Sequence, residues 1–457
     1  MIINRTTLWA VGLSLALSAC DKNEIAPANQ KETFAKYYGH VYSQTAADME
    51  TLPDDSGYLV LGSSSSFVDV ENKGSYNNFY LIKTDPLGNE LWSKSFGLAN
   101  NGTDIYDNTA QQLIALPDGA GYILAGNSQR IELQNGQRIR RQKRILLIQL
   151  DKDGVEVARA IHPVDFDTTP EQNWEIRDIQ LLPNSNTGFV ITGTTTDINR
   201  LKPNFNPQTD FSDMYLARFS DIDSKDWDFS YGFSGKDEGV FLEVHNNSVI
   251  IAGRTETIIG NNPPSQDYHV VLINLSSGGI LNQRAFADSR NNIFATDATY
   301  DAEKGVLTIF GNEVESSGAA GQLVIMQLNI PNDRNNSITL SRTLKTNGSA
   351  QNGGVGSLGA TISLLPDNQG FLMTATAIKT TGLNSDVQLL KFNKDLELEW
   401  DWLFGTGASL DKASAVAPVF KLGTNQVSDC AMIGTFDLGT NTTIGLVKTT
   451  NAGALDK

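Results

Sequence analysis

Cysteine is nearly missing from this 457-residue chain, which has only Cys20 and Cys430. Cys20 closes an N-terminal leader and Cys430 stands alone in the body, so a disulfide framework is excluded. Cys430 lies in the apolar run Cys430-Ala431-Met432-Ile433 and reads as a buried structural thiol. Histidine is as scarce. His40, His162, His245 and His269 are the only four, none at the spacing of a helical zinc motif, so no metal site is expected. Basic residues are outnumbered, 35 Lys and Arg against 52 Asp and Glu, for a net charge of −17. That balance argues against nucleic acid as a partner. There is no G-x-S-x-G nucleophile elbow. One glycine pattern, Gly354-Val355-Gly356-Ser357-Leu358-Gly359, runs into a strand-like stretch, Ala360–Leu365, where a dinucleotide site needs a helix. It reads as a loop between repeats, and no cofactor is expected. Asp151-Lys152-Asp153-Gly154 lacks the acidic spacing of a calcium loop and reads as a hairpin turn.

Long apolar runs are also lacking. The longest, Leu8–Leu17, follows a short basic start and is too brief to span a bilayer. It leads into Leu17-Ser18-Ala19-Cys20, which resembles the lipobox of bacterial lipoproteins. That resemblance implies a signal peptide over residues 1–19 and a membrane anchor through lipid on Cys20. Asp21-Lys22-Asn23-Glu24 resembles the charged tetrapeptides that direct Bacteroidota lipoproteins to the cell surface. The expected address is therefore the outer membrane, with display at the surface. Residues 20–32 are expected to be a lipidated tether.

The body, residues 33–457, is repetitive. A six-residue strand recurs at Phe79–Thr84, Ile145–Leu150, Met214–Phe219, His269–Asn274, Leu323–Leu328, Val387–Phe392 and Ile444–Thr449, at intervals of 54 to 69 residues. Before each comes another apolar run, usually closed by glycine: at Gly62, Gly126, Gly193, Gly253, Gly311 and Gly434, with Ala375 in the sixth repeat. These runs are rich in Val, Ile and Leu, bounded by turn residues and too short for helices. A third strand precedes them and a fourth follows a tight turn such as Asp85-Pro86-Leu87-Gly88-Asn89. Each repeat is thus expected to be a four-stranded antiparallel sheet, strands a to d. Four of the six Trp fall on strand d: Trp92, Trp227, Trp400 and Trp402.

The seventh repeat stops before its strand d, and Thr33–Gly39 (TFAKYYG) matches Trp92–Gly97 (WSKSFG). The expectation is an all-β, monomeric, seven-bladed β-propeller, its ring closed by an N-terminal strand that completes the last blade. The runs of the GYILAG type and the turn D-x-x-G-N-x-x-W resemble the propeller repeats of secreted proteins and lipoproteins of Bacteroidota. That resemblance implies a fold and no particular activity.

Strand order puts the a–b and c–d turns on one face and the b–c and d–a loops on the other. The b–c segments Ser63–Asn78, Asn127–Lys143, Thr194–Ser212 and Arg254–Gln266 are long and read as loops on the second face. They carry Phe67, Tyr76, Phe205 and Phe211, candidate anchors for a sugar ring or a protein partner. Arg138–Arg144 is a basic cluster that reads as a solvated hairpin tip, with phosphate or an acidic glycan as its alternative ligand. No catalytic residue is assigned. The expected role is a non-catalytic binding or scaffold module for an envelope protein or glycan. The alternative is a carbohydrate-active hydrolase or lyase using acids near the channel.

Overall fold

The computed structural model describes residues 32–455, except 40, 54–55, 70–73, 99–104, 135–136, 164–171, 198–209, 234, 258–264, 287–291, 315–320, 332–335, 349–355, 367–368, 381–383, 407–408 and 422. The described residues are nearly all β. Sheet A contains Gln44–Thr51, Tyr58–Asp69, Gly74–Thr84 and Glu90–Phe96. Sheet B contains Ile105–Ala115, Gly121–Gln134, Gln137–Asp151 and Glu156–His162. Sheets C (Trp174–Leu181, Phe189–Thr195, Asp210–Asp221, Ser224–Tyr231) and D (Gly235–His245, Ser248–Thr257, Ser265–Asn274, Ile280–Phe286) are joined by a short parallel pairing of Asp210–Ser212 with Gly235–Lys236. Sheet E holds Asn292–Asp301, Val306–Val314, Gln322–Asn329 and Thr339–Thr346; sheet F holds Gly356–Leu365, Gly370–Thr380, Asn384–Phe392 and Leu398–Phe404. Sheet G has three strands in sequence, Lys412–Phe420, Val427–Asp437 and Thr442–Thr450. Its fourth is Phe34–Tyr38, antiparallel to the third, with Phe34 opposite Lys448 and Tyr38 opposite Ile444.

One irregularity explains the recurrent glycine. In every sheet the a–b pairing shifts register by one residue at the same place, between Ala46 and Asp48 in A, Ala110 and Gln112 in B, and Ala413 and Ala415 in G, for example. The residue just before the shift always faces the last residue of the strand-b motif: Gly62, Gly126, Gly193, Gly253, Gly311, Ala375 or Gly434. Such a bulge bends strand a and drives a carbonyl toward the partner strand. A Cβ on Gly434 would lie 2.7 Å from the Lys412 carbonyl oxygen, and the neighbouring sheet presses from the other side, with Phe79 Cζ 2.6 Å from a Cβ on Gly126. Glycine relieves this crowding in six of the sheets; in sheet F the position is Ala375, and the residue facing it on strand a, Gly359, is the one without a side chain.

At five of the seven positions the residue after that glycine or alanine ties its sheet to the next, Asn312 of sheet E among them, whose Oδ1 accepts from Gly359 N–H. The Ser63 hydroxyl accepts from Ala110 N–H (2.9 Å), Asn127 Oδ1 from Ile176 N–H (3.0 Å), and the Thr376 hydroxyl from Ala413 N–H (3.1 Å). The Thr435 hydroxyl does the same for Ala46 N–H at 2.9 Å, from sheet G to sheet A. Apolar clusters fill each interface. Leu59, Leu61, Phe79 and Leu81 of A meet Leu124, Leu146 and Ile148 of B, and Tyr58, Val60 and Ile82 of A meet Ile433, Ile444 and Leu446 of G. Burying such side chains contributes roughly 1.5–3 kcal/mol each before entropy is counted.

The Trp on strand d has a purpose of the same kind. Gly154, at φ +70° in the c–d turn of sheet B, lies under the Trp92 ring of sheet A, where a Cβ would sit 2.7 Å from the ring. Gly453 lies under Trp400 and Trp402, and Gly88 (φ +72°) lies under Phe34. Phe34 therefore occupies the place that Trp92 holds one sheet further on. The pattern Gly354–Gly359 enters strand a of sheet F at Gly356, earlier than the sequence reading, and no helix follows. Asp151–Gly154 forms the c–d turn of sheet B, with Asp151 Oδ1 accepting from Asp153 and Val155 N–H. Cys430 is buried, and burial pushes its thiol up to about 12.

Candidate functional site: the crest and the inner carboxylates

Two b–c segments expected to be loops are strands. The pairing of Tyr58–Asp69 with Gly74–Thr84 continues past Ser64 and Asn78 to Asp69 and Gly74, and Gly121–Gln134 pairs with Gln137–Asp151 out to Gln134 and Gln137. The correction has a local cause. These stretches keep β-favouring residues, Phe67, Val68 and Tyr76 in one, Ile131 and Ile139 in the other, so the ladder has no reason to stop. The two hairpins stand up from the b–c face as a crest. At about 3.3 Å per residue, the six steps from Ser128 to Gln134 rise about 20 Å.

The crest has its own small core of Tyr76, Ile105 and Ile131, exposed by only 3%, 2% and 2%. Tyr76 is thus a packing residue within the crest and offers no open ring to a partner. Phe67 lies on the same hairpin, its backbone opposite Tyr76. Phe211 is 47% exposed, at the start of strand c in sheet C. Phe205 and Cys20 lie outside the described residues. The structure brings Phe67 and Tyr76 together and sets Phe211 on another sheet.

The basic cluster is a strand rather than a tip, and its charges are matched by acids. Arg140 pairs with Asp107 at 3.0 Å, Arg141 with Glu132 at 2.7 Å and Lys143 with Glu175 at 2.8 Å. Arg144 is buried and donates to the Pro163 carbonyl. Arg140 and Arg141 remain solvent-exposed, so their pairs add little stability and leave the guanidiniums accessible. Exposed apolar residues escaped the sequence reading. Val41 (78%) and Leu438 (57%) stand on the same face, linked where Asn441 donates to the Val41 carbonyl. Their signal was an apolar residue inside a polar turn.

A second constellation lies on the a strands. Asp48, Asp178 and Asp297 each follow the bulge, in sheets A, C and E. Each accepts from the N–H of the next residue and from an N–H on strand a of the following sheet: Leu113 (2.9 Å), Leu242 (2.7 Å) and Ile362 (2.9 Å). Gln180 repeats the link two residues on, its Oε1 accepting from Val244 N–H. Burial pushes the Asp48 and Asp297 carboxyls up to about 7 and Glu50 up to about 8, against the pull of the amides. Asp178 is raised well above the usual range by burial, with repulsion from Asp297 and Asp48 adding to it. Sequence inspection missed this set because an Asp after a bulge looks like any strand Asp. Among the described residues no group of three His, Cys, Asp or Glu is arranged to hold a metal ion.

A third feature is a buried relay between sheets B and C. His162 Nε2 meets the Tyr215 hydroxyl at 2.5 Å, Tyr215 donates to Asp228 at 2.9 Å, and Lys225 pairs with Asp228 at 3.0 Å. It borders a cavity of about 90 Å³ lined by Trp174, Thr195 and Ser230 among others.

No protein-family model matches the chain, and no curated protein matches its sequence. Solved β-propellers are similar to it. The Pan2 WD40 domain of Neurospora crassa is 10% identical over 88% of each chain, with a TM-score of 0.44. The β-propeller domain of the trilobed protease of Pyrococcus furiosus, described as having an open velcro topology, is 10% identical over 93% of this chain and all of that one, at 0.41. A DUF4221 member from Bacteroides vulgatus is 8% identical over 76% of this chain and 99% of that one, at 0.36.

Proposed function

We propose that the chain is a closed seven-bladed β-propeller, held at the outer membrane by lipid on Cys20 and displayed at the cell surface. It works there as a non-catalytic binding or scaffold module for an envelope protein or glycan. Closure is supported by the likeness of the G–A interface to others: the Thr435 bond to Ala46 N–H repeats the links of A to B, B to C, E to F and F to G, and Phe34 over Gly88 repeats Trp92 over Gly154. The a strands also lie against one another in succession, A on B through F on G, and G on A.

The observation that carries the binding reading is the crest. Ordering two long projections costs backbone entropy that the ring has no need to bear. Such an elaboration, with its own core and two exposed guanidiniums, fits a recognition surface on a rigid scaffold. The alternative, a hydrolase or lyase, would draw on Asp48, Asp178 and Asp297, whose oxygens are already engaged by backbone amides. The test is capture from intact envelopes on the lipidated protein, with a glycan array beside it. A protein or glycan retained by the native chain and lost when the crest is trimmed supports the reading. Polysaccharide cleavage that disappears in Asp297→Asn would replace it with the enzyme.

A further inference from the structure

The direction of one short strand fixes which face of the ring is next to the anchor. Phe34–Tyr38 runs antiparallel to Thr442–Thr450, and that strand ends in the c–d turn, where Thr450 N–H donates to the Ala454 carbonyl. Phe34 therefore lies at the c–d-turn end and Tyr38 at the b–c end. Its neighbours agree. The Phe34 ring covers Gly88 and Lys36 donates to Asn89, both in the c–d turn of sheet A, whereas beyond Tyr38 the chain reaches the b–c side, where Asn441 donates to the Val41 carbonyl. Phe34 also meets Tyr58, just after the a–b turn, with ring centroids 6.2 Å apart. Residue 33 thus leaves the fold among the short turns, on the face opposite the crest.

We infer that the short-turn face is turned toward the bilayer and the crest face away from it, so that partners are met at the surface furthest from the membrane. The inference rests on the lipid-anchor reading of Cys20. The thirteen steps from Cys20 to Thr33 span at most about 45 Å when fully stretched. Inverting the ring would require the chain to pass one strand of seven to eight residues, about 25 Å, and then the crest, about 20 Å more. That uses the whole stretched reach, whereas the upright arrangement needs almost none of it.

The test uses the full lipidated protein in phosphatidylethanolamine–phosphatidylglycerol vesicles with an acceptor dye on the headgroups. A donor dye is attached to one introduced cysteine: Lys152→Cys or Lys394→Cys in c–d turns, Val41→Cys or Leu438→Cys on the crest face. These positions are exposed, and buried Cys430 does not compete for the dye. Donors in the c–d turns are expected to lie nearer the bilayer by about one strand length, roughly 25 Å. Equal distances, or the reverse order, on protein whose mass shows acylated Cys20 overturn the orientation. A mass without acyl chains overturns the anchor itself, so the two failures are distinguished.

Discussion

The seam between sheets G and A and the crest above sheets A and B are both departures from the repeat, but they differ in how they are held. At the seam five residues, Phe34–Tyr38, complete a sheet and contribute to a cluster shared by two sheets. In the crest, more residues than that rise away from the body of sheets A and B and share a core of three side chains. The lesson is that cooperativity follows what an element is packed against. A strand packed into a core shared by two sheets inherits the stability of the whole, while a projection of equal regularity can open alone.

The largest effect is expected at the seam. Deleting residues 33–39 leaves Thr442–Thr450 as a bare edge and removes Tyr38 from the G–A core. A lost ladder and lost burial together cost several kcal/mol, on the order of a domain's net stability. Thermal unfolding should show a much lowered transition or none. An unchanged melting temperature would mean that sheets A to F stand without the join.

A smaller effect sharpens the comparison by treating the seam as an ordinary interface. Thr435→Val leaves Ala46 N–H without its acceptor, as Asn127→Ala does for Ile176 N–H between B and C. Each should cost about 1–3 kcal/mol, the penalty for a buried donor left unsatisfied. Equal losses in denaturant titrations would make the seam one interface among seven. A much smaller loss for Thr435→Val would show that the seam is loose.

These links also mark what could be read beforehand. The strand pairs, their glycines and the pairing of residues 34–38 with the last strand were legible because buried strands need unbroken apolar runs and the bulge crowds the residue opposite it. The polar residue after five of these positions, Ser63, Asn127, Asn312, Thr376 or Thr435, was equally present in the sequence, yet its meaning depends on an amide in the next sheet. The crest was misread for a related reason. Ser63–Asn78 is polar enough to pass for a loop, and only the neighbouring Ile105 and Ile131 make Tyr76 a core residue. The inner carboxylates are illegible in principle, since their surroundings come from three different sheets.

Those carboxylates give the stacked sheets a pH dependence that the crest should lack. Asp48 and Asp297 are raised from the usual 3.8 to about 7 in the folded state, so the native form holds protons that the unfolded chain has released. Their contribution is greatest below the unfolded value and is lost as pH rises through about 7. The protein should therefore melt at a higher temperature at pH 5.5 than at pH 8, and Asp297→Asn should flatten that slope. A melting temperature that rises toward pH 8 would contradict the assigned surroundings.

The smallest effect on stability, and the sharpest contrast with the seam, belongs to the crest. Shortening both hairpins to two-residue turns, after Ser64 and after Ser128, removes Tyr76 and Ile131 together, and Ile105→Thr prevents the remaining member of their core from facing water. The ladders below the cut stay intact, and shortening a connection has a weak entropic effect of its own. Global stability should change by no more than about 1 kcal/mol, because this small core opens independently of the sheets below it. Tyr76→Ala alone should show the same independence, with faster amide exchange at residues 74–78 and 129–133 and an almost unchanged melting temperature. If the crest is the recognition surface, the shortened protein should lose its envelope partner at an unchanged melting temperature. Retained capture would move recognition to the remainder of that face, where Val41, Leu438 and Phe211 are the exposed apolar groups to alter next.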